Sequence, residues 1–470
     1  MKTARRSIRL IAVVITLMFL SIGVYLPYQL FLYQGAWISN ANNPAIRHPK
    51  SVTRSGGIYD ARQIQLASTA MDVYGSYTRA YVNDFAIRSA VAHVLGDPEH
   101  NIKGGVESTM AAYLLGFNPN FFSRIFRSFS GDPFRGDDVY LSLDAALTKY
   151  AASIFPSGKS GAIIIMNYKT GQIRAMTSQP SFDIANSAAG LAREVFINHA
   201  TEKKEAPGSV FKTVVYAAAL EYLPFVSERV FTCTGALQAG YGTIVEAGGK
   251  SHGSLTLEQA YAQSCNTTFA DLAIELGWER LAKTAQKFGL NEELYIADIR
   301  MAESKFPFTI QSPEQLAQSG IGQSQVECTP MQMALVACAI ANDGVVMTPR
   351  LLEFTKPQGQ GSIPISNTVL LRSLSKENAG IIKKAMKAAV DSGTARNAAI
   401  PGMTVCGKTG SAEWGTDPKN NPTHSWFTGF IDDAKHPLAV CVLVEKGGSG
   451  SDVAAVIARE ALLEALRLGY

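Results

Sequence analysis

An α+β fold is predicted for this chain: one antiparallel sheet assembled from segments far apart in sequence, covered by helices and carried behind a membrane helix. Three observations predict it. An uncharged apolar stretch begins at Leu10, directly after Lys2, Arg5, Arg6 and Arg9. GAIIIM, a turn at NYKTG, and QIRAMTS read as a hairpin of buried strands at 161–178. Strand-like runs return near the other end as TVCGKTG, SWFTGFI and LAVCVLVE, with a long helical middle from Ser209 to about Ala341 between the two sets.

In order along the chain, residues 1–9 form a basic tail and 10–30 an anchor, since LIAVVITLMFLSIGVYL supplies roughly 17 to 20 residues of membrane helix. Basic residues ahead of it place the N-terminus in the cytoplasm and the bulk of the chain outside. A cleaved signal peptide is the rival, but Ser39 and Ala41 lie far past the apolar core for its small-residue site. Residues 31–50 read as a polar linker. Residues 51–136 read as a small mixed domain, with a turn at Gly56 and Gly57 and a short helix in KGGVESTMAAYLLG, 103–116. From 137 to 470 the main domain begins with a strand and helix in DVYLSLDAALTKYAASI and closes with a helix in DVAAVIAREALLEALRLG. No internal repeat is present.

The four basic residues before Leu10 account for the whole excess of 43 Lys and Arg over 39 Asp and Glu. The exported part is therefore formally neutral, which argues against nucleic acid or another polyanion as partner. All six cysteines follow residue 230 without the CxxC spacing of a zinc site, so no metal and no cofactor are expected. They read equally as disulfides or as buried thiols.

The chemistry is carried by short motifs. In APGSVFKT, 206–213, Pro207 and Gly208 break the preceding segment and an alanine-rich helix follows, so Ser209 stands at a helix N-terminus with Lys212 on its face at i+3. The plain alternative is a capping serine beside a surface lysine. SCN, Ser264 to Asn266, falls at the junction of two helical stretches, where a hydroxyl and an amide can face a cleft. KTGS, Lys408 to Ser411, lies on a strand whose Gly410 lets a substrate backbone approach. Each triplet is common by chance, but the order and spacing of SxxK, SxN and KTG are not.

With these motifs the chain resembles a class B penicillin-binding protein, the membrane-anchored D,D-transpeptidase of peptidoglycan. Further stretches carry the resemblance: the hairpin ending in PSFD, INHA at 197–200, SGIGQSQVECTPMQMALVACAIANDGVVMTP, and HSWFTGFI at 424–431. GGIYD at 56–60 and GGVES at 104–108 match the family's pedestal more loosely. His199 stands where the family usually has arginine, and Ala61 and Gln63 where it usually has arginine and glycine.

The resemblance implies a five-stranded antiparallel sheet with helices on both faces, a helical subdomain, and a pedestal over 51–136. It also implies a mechanism. Ser209 attacks the carbonyl of a stem peptide ending in D-Ala-D-Ala, and Lys212, kept neutral by burial and by Lys408, accepts its proton. Ser264 passes the proton to the leaving D-alanine while Asn266 holds the lysine and the substrate amide. Backbone N–H groups of Ser209 and Ser411 form the oxyanion hole. Lys408, Thr409 and Ser411, with Gly410 between them, take the terminal carboxylate. β-Lactams inhibit as stable acyl products, and glycan polymerisation falls to a separate glycosyltransferase of the division or elongation machinery.

Other readings are weaker. GMTVCGKT, 402–409, fits the phosphate-loop pattern of an ATPase, but a strand precedes Lys408 and SAEWGTDPKNNP after it cannot form the required helix. A β-lactam sensor or hydrolase, a D,D-carboxypeptidase and a non-catalytic scaffold share the fold. His93, His252 and His424 are scattered and read as local hydrogen-bonding residues, and GGSGS near Gly447 as a loop.

Overall fold

The computed structural model describes residues 2–38, 54–71, 73–97, 102, 104–116, 135–186, 190–294, 296, 298–310, 312–357, 359–415 and 421–470. A helix spans Lys2–Ile38, and its segment Arg9–Leu26 is long and apolar enough to cross a membrane, with none of it buried against the protein. The helix thus runs through the first part of the expected linker; the rest of the linker lies outside the described residues, as do Ser39 and Ala41.

Five strands form the central sheet in the order Val405–Ala412, His424–Ile431, Leu438–Val444, Gly161–Asn167, Ile173–Gln179, all antiparallel. The first and last thirds of the domain thus meet through Leu438–Val444 and Gly161–Asn167. These strands are apolar along their whole length because both faces are covered, and their period of two divides them between two cores. Ile164, Met166, Cys441 and Leu443 face the core beneath the helical subdomain. Ile163, Ile165, Val440 and Val442 face the core closed by the helix Ala455–Arg467.

A second sheet of six strands holds Ile58–Tyr59, Gln65–Met71 and Tyr77–Tyr81 together with Asp138–Leu141, Leu352–Lys356 and Ile363–Pro364. Asp138–Leu141 pairs in parallel with Ile58–Tyr59, so a strand read as the start of the main domain belongs to the N-terminal sheet. The strand Leu352–Lys356 arrives from the far side of the helical middle. Buried Asp60 joins the two parts: one carboxylate oxygen accepts the N–H groups of Arg62 and Ile64, and the other accepts that of Ala145 at the start of the next helix. Around the altered positions, Arg62 pairs with Asp144, and Gln63 takes a left-handed φ of 63°.

Two other expectations need correction. The helix expected over 103–116 is two single turns, Val106–Thr109 and Ala111–Leu114, broken at Met110; Lys103 lies outside the described residues. The helical middle is interrupted over 230–256 by four short strands, Val230–Cys233, Ala236–Ala239, Gly242–Val245 and Gly253–Thr256. Their alternation is masked in sequence by glycine and by exposed residues such as Tyr241 and Val245.

Candidate active site

The serine turn begins where Pro207 and Gly208 end the preceding loop. Gly208–Phe211 form a 3₁₀ turn that runs directly into the helix Lys212–Tyr222. The first N–H groups of a helix have no acceptor within it, which leaves that of Ser209 open to a ligand. From the strand His424–Ile431, the indole N–H of Trp426 donates to the carbonyl of Ala206 at 2.9 Å and pins the entry to this turn.

The KTG strand, Val405–Ala412, is an edge of the central sheet, so one side of its backbone is left unpaired by the sheet. It presses against the serine turn. A Cβ on Gly410 would lie 2.9 Å from the carbonyl oxygen of Pro207, and one on Gly208, whose φ is +57°, would lie 3.1 Å from the Cβ of Ala412. Glycine at these two positions lets Ser209 and Ser411 sit on facing segments. The same strand runs unbroken through Gly407, Lys408 and Thr409, with Lys408 opposite Thr428, so the phosphate-loop reading has no loop to rest on.

The SCN turn is a strained helix ending. Cys265 N–H donates to Ala260 O at 2.8 Å and Ser264 N–H to Tyr261 O at 3.0 Å, the paired bonds that close a helix C-terminus around a left-handed residue. That residue is Ser264, with φ 59°. Glycine usually occupies this position, and a residue with a Cβ there costs about 1 to 2 kcal/mol. The strain has a use, because the turn presents both the carbonyl and the hydroxyl of Ser264 to buried lysines.

Lys212 Nζ donates to Ser264 O at 2.6 Å, Asn266 Oδ1 at 2.7 Å and Ser264 Oγ at 3.3 Å. Lys408 Nζ donates to Ser264 Oγ at 2.8 Å and Thr409 O at 2.9 Å. Asn266 Nδ2 donates to Val245 O, which fixes its amide with the oxygen toward Lys212. Both lysines are fully buried. Burial pushes Lys212 down to about 8, opposed by the negative charge of Glu246. Burial, and then the charge of Lys212, holds Lys408 well below the usual lysine range.

Two ammonium groups on one hydroxyl oxygen are unfavourable, so one lysine gives up its proton readily. Ser264 O and Asn266 Oδ1 can only accept, which favours the ammonium on Lys212 at rest. Both lysines are held below the usual range, and in the resting arrangement Lys408 is the readier of the two to be neutral.

Thr409 Oγ1 donates to Thr394 Oγ1 at 2.9 Å, and Thr394 N–H donates to Ala262 O, which ties the KTG strand to the helix ahead of the SCN turn. Ser411 Oγ accepts the N–H of Gly450, so the GGSGS loop is a backstop for the strand. Neither Thr394 nor Gly450 has a sequence signal beyond its loop. His93 bonds Val195 O, and His424 Nδ1 accepts the N–H of Lys446, in keeping with local roles. His199, standing where the family usually has arginine, meets Glu445 at 2.6 Å. All six cysteines are buried and free; the disulfide alternative is not formed. The expected absence of a metal site meets one exception: Cys233, Glu246, His252 and Cys265, directly behind the SCN turn, have the donors to hold an ion.

A partly exposed serine on a helix N-terminus, facing a KTG edge strand and backed by two lysines that share one hydroxyl, defines a serine acyltransferase of the penicillin-recognising fold. A family model, the penicillin binding protein transpeptidase domain, matches residues 161–463. Peptidoglycan D,D-transpeptidase PbpA of Mycolicibacterium smegmatis is 32% identical over 446 residues, 88% of this chain and 89% of that one. Among solved structures, the D,D-transpeptidase domain of a peptidoglycan glycosyltransferase from Eggerthella lenta has a TM-score of 0.78 at 30% identity, covering 89% of this chain and 99% of that one. The ceftriaxone acyl-enzyme complex of penicillin-binding protein A from Mycobacterium tuberculosis has a TM-score of 0.79 at 26% identity, covering 88% and 98%. This chain belongs to the penicillin-binding protein transpeptidase family, on its class B branch of serine D,D-transpeptidases acylated by β-lactams.

Proposed function

We propose that Ser209 is the acylated nucleophile and that the chain joins two stem peptides, releasing the terminal D-alanine of the donor. The observation that carries this is the meeting of Lys212 and Lys408 on Ser264 Oγ. When a substrate carboxylate docks at Lys408, Thr409 and Ser411, the negative charge favours an ammonium on Lys408. A proton then passes from Lys212 to Ser264 Oγ while the Ser264 hydroxyl proton passes to Lys408. Lys212 is left neutral, the form that accepts the proton of Ser209. Ser264 can return a proton to the departing amine, and Asn266 holds Lys212 in register. The N–H groups of Ser209 and Ser411 receive the tetrahedral oxyanion, each worth about 3 to 4 kcal/mol in the transition state.

The basic residues ahead of the apolar helix support a cytoplasmic N-terminus and an extracytoplasmic catalytic domain. A separate glycosyltransferase supplies the glycan strands. Full-length enzyme incubated with a D-Ala-D-Ala stem peptide and an amine acceptor is expected to release D-alanine and form the amide-linked product, by mass spectrometry. Release of D-alanine with only the hydrolysed peptide would establish the carboxypeptidase reading instead.

A further inference from the structure

Behind the SCN turn, four side chains from a strand end, two loops and a helix start converge. Cys233 ends the strand Val230–Cys233, and His252 precedes Gly253–Thr256, which pairs with that strand so that Gly253 lies opposite Cys233. Glu246 follows Gly242–Val245, and Cys265 immediately precedes the helix Asn266–Leu276. One donor atom from each of the four lies within 4.8 Å of every other. Cys265 Sγ is 3.1 Å from Glu246 Oε1; Cys233 Sγ is 3.5 Å from Glu246 Oε1 and 3.5 Å from His252 Nδ1; His252 Nδ1 is 3.9 Å from Glu246 Oε2.

Zinc bond lengths of about 2.0 to 2.3 Å in a tetrahedron require ligand-to-ligand edges of about 3.3 to 3.8 Å. The four spacings given, 3.1 to 3.9 Å, bracket that range, and the widest in the set is within 4.8 Å, so closure onto an ion needs a contraction of at most about 1 Å. The donor set also selects the ion: two thiolates and an imidazole suit zinc and are foreign to calcium or magnesium, which take oxygen. A surrounding layer of hydrogen bonds is present as well. Glu246 accepts the N–H groups of Asn266 at 2.9 Å and Thr267 at 2.7 Å, and Thr267 Oγ1 and Thr268 Oγ1 lie 3.3 and 3.1 Å from Cys265 Sγ. Capping of a helix start explains an acid at 246 but gives no reason for two cysteines and a histidine around it.

We propose that Cys233, Glu246, His252 and Cys265 bind one Zn²⁺ ion that holds the SCN turn in place from behind. On binding, each thiol releases its proton to solvent as its sulfur bonds the metal, and no oxidation state changes. Two thiolates, one carboxylate and the ion sum to the same single negative charge that Glu246 carries alone. The ion therefore adds rigidity at Ser264 and Asn266 while leaving the net charge behind Lys212 unchanged.

Full-length protein purified in detergent, loaded with zinc and dialysed, is expected to retain about one zinc per chain by elemental analysis. Cys233→Ser and His252→Ala should each lose most of it, and Cys338→Ser, in the separate helix Pro330–Ala341, should keep it. Should the ligand variants fail to fold, wild-type protein decides: cobalt exchange should give a thiolate-to-metal charge-transfer band with tetrahedral visible absorption, and chelation should lower the Tm until zinc is restored. Wild-type protein that retains no metal, metal content equal in all three variants, or a Cys233–Cys265 disulfide in the purified chain would overturn the proposal.

Discussion

Lys212 and Lys408 donate to a single oxygen, Ser264 Oγ, at 3.3 and 2.8 Å, although 196 positions separate them in the sequence. Neither lysine makes an ion pair among the described residues. Two buried amines that share one hydroxyl form a proton reservoir rather than a structural bridge, and the expected behaviour of the enzyme follows from it.

Ser209 is half-buried and its hydroxyl has no hydrogen-bond partner among the described residues. Ser209→Ala should therefore abolish covalent labelling by fluorescent penicillin while changing stability by less than about 1 kcal/mol. Labelling of the variant at the wild-type level would remove Ser209 from the mechanism.

The base form of Lys212 is the neutral amine, and its proton is lost at about pH 8. The relay supplies that amine while the two lysines carry a single proton between them, so acylation should fall, by up to about tenfold per pH unit, as pH drops and the pair takes up its second proton. The direction is set by the cation: protonation removes the base, so activity falls as pH drops. A rate that stays constant as pH is lowered over the whole range in which the enzyme remains folded, measured by stopped-flow with a chromogenic cephalosporin, would show that the lysine pair does not supply the base.

Ser264→Gly and Ser264→Ala separate strain from chemistry. Both remove the shared oxygen, and acylation should slow by about two orders of magnitude or more in each. Glycine relieves the left-handed φ of 59°, so Ser264→Gly should unfold at higher temperature than Ser264→Ala, by about 1 kcal/mol. Calorimetry with the opposite order would contradict the strained turn.

Gly410→Ala places a methyl group 2.9 Å from the carbonyl oxygen of Pro207, a backbone atom that cannot swing aside. The serine turn and the KTG strand should be forced apart at a cost of about 1 to 3 kcal/mol. Acylation should fall sharply with the far-ultraviolet circular dichroism spectrum unchanged. Wild-type acylation kinetics would mean that this close approach is not required.

Much of the framework was legible in sequence. The hairpin at 161–179 and the three C-terminal strands are written as apolar runs, and Ser209, Lys212, Ser264, Asn266 and Lys408 stand in short motifs with a fixed order. Less was legible where a partner decides the outcome. The four strands over 230–256 are short, glycine-bearing and half exposed, so their own side chains do not announce them. The placement of Asp138–Leu141 in the N-terminal sheet depends on strands 58–59 and 352–356, which no local pattern connects to it.

By itself, the sequence determined the elements whose hydrophobic period is strong, the membrane-length helix, and the candidate side chains for the acyl transfer proposed above. Only the tertiary structure decided which lysine is the readier to be neutral, because that depends on the acceptors around each ammonium. It alone gathered Cys233, Glu246, His252 and Cys265, whose separation along the chain hides them from any spacing rule. The physical reason is common to both: burial and electrostatic coupling act through distances of a few ångströms in space, and the chain order of these residues carries no record of those distances.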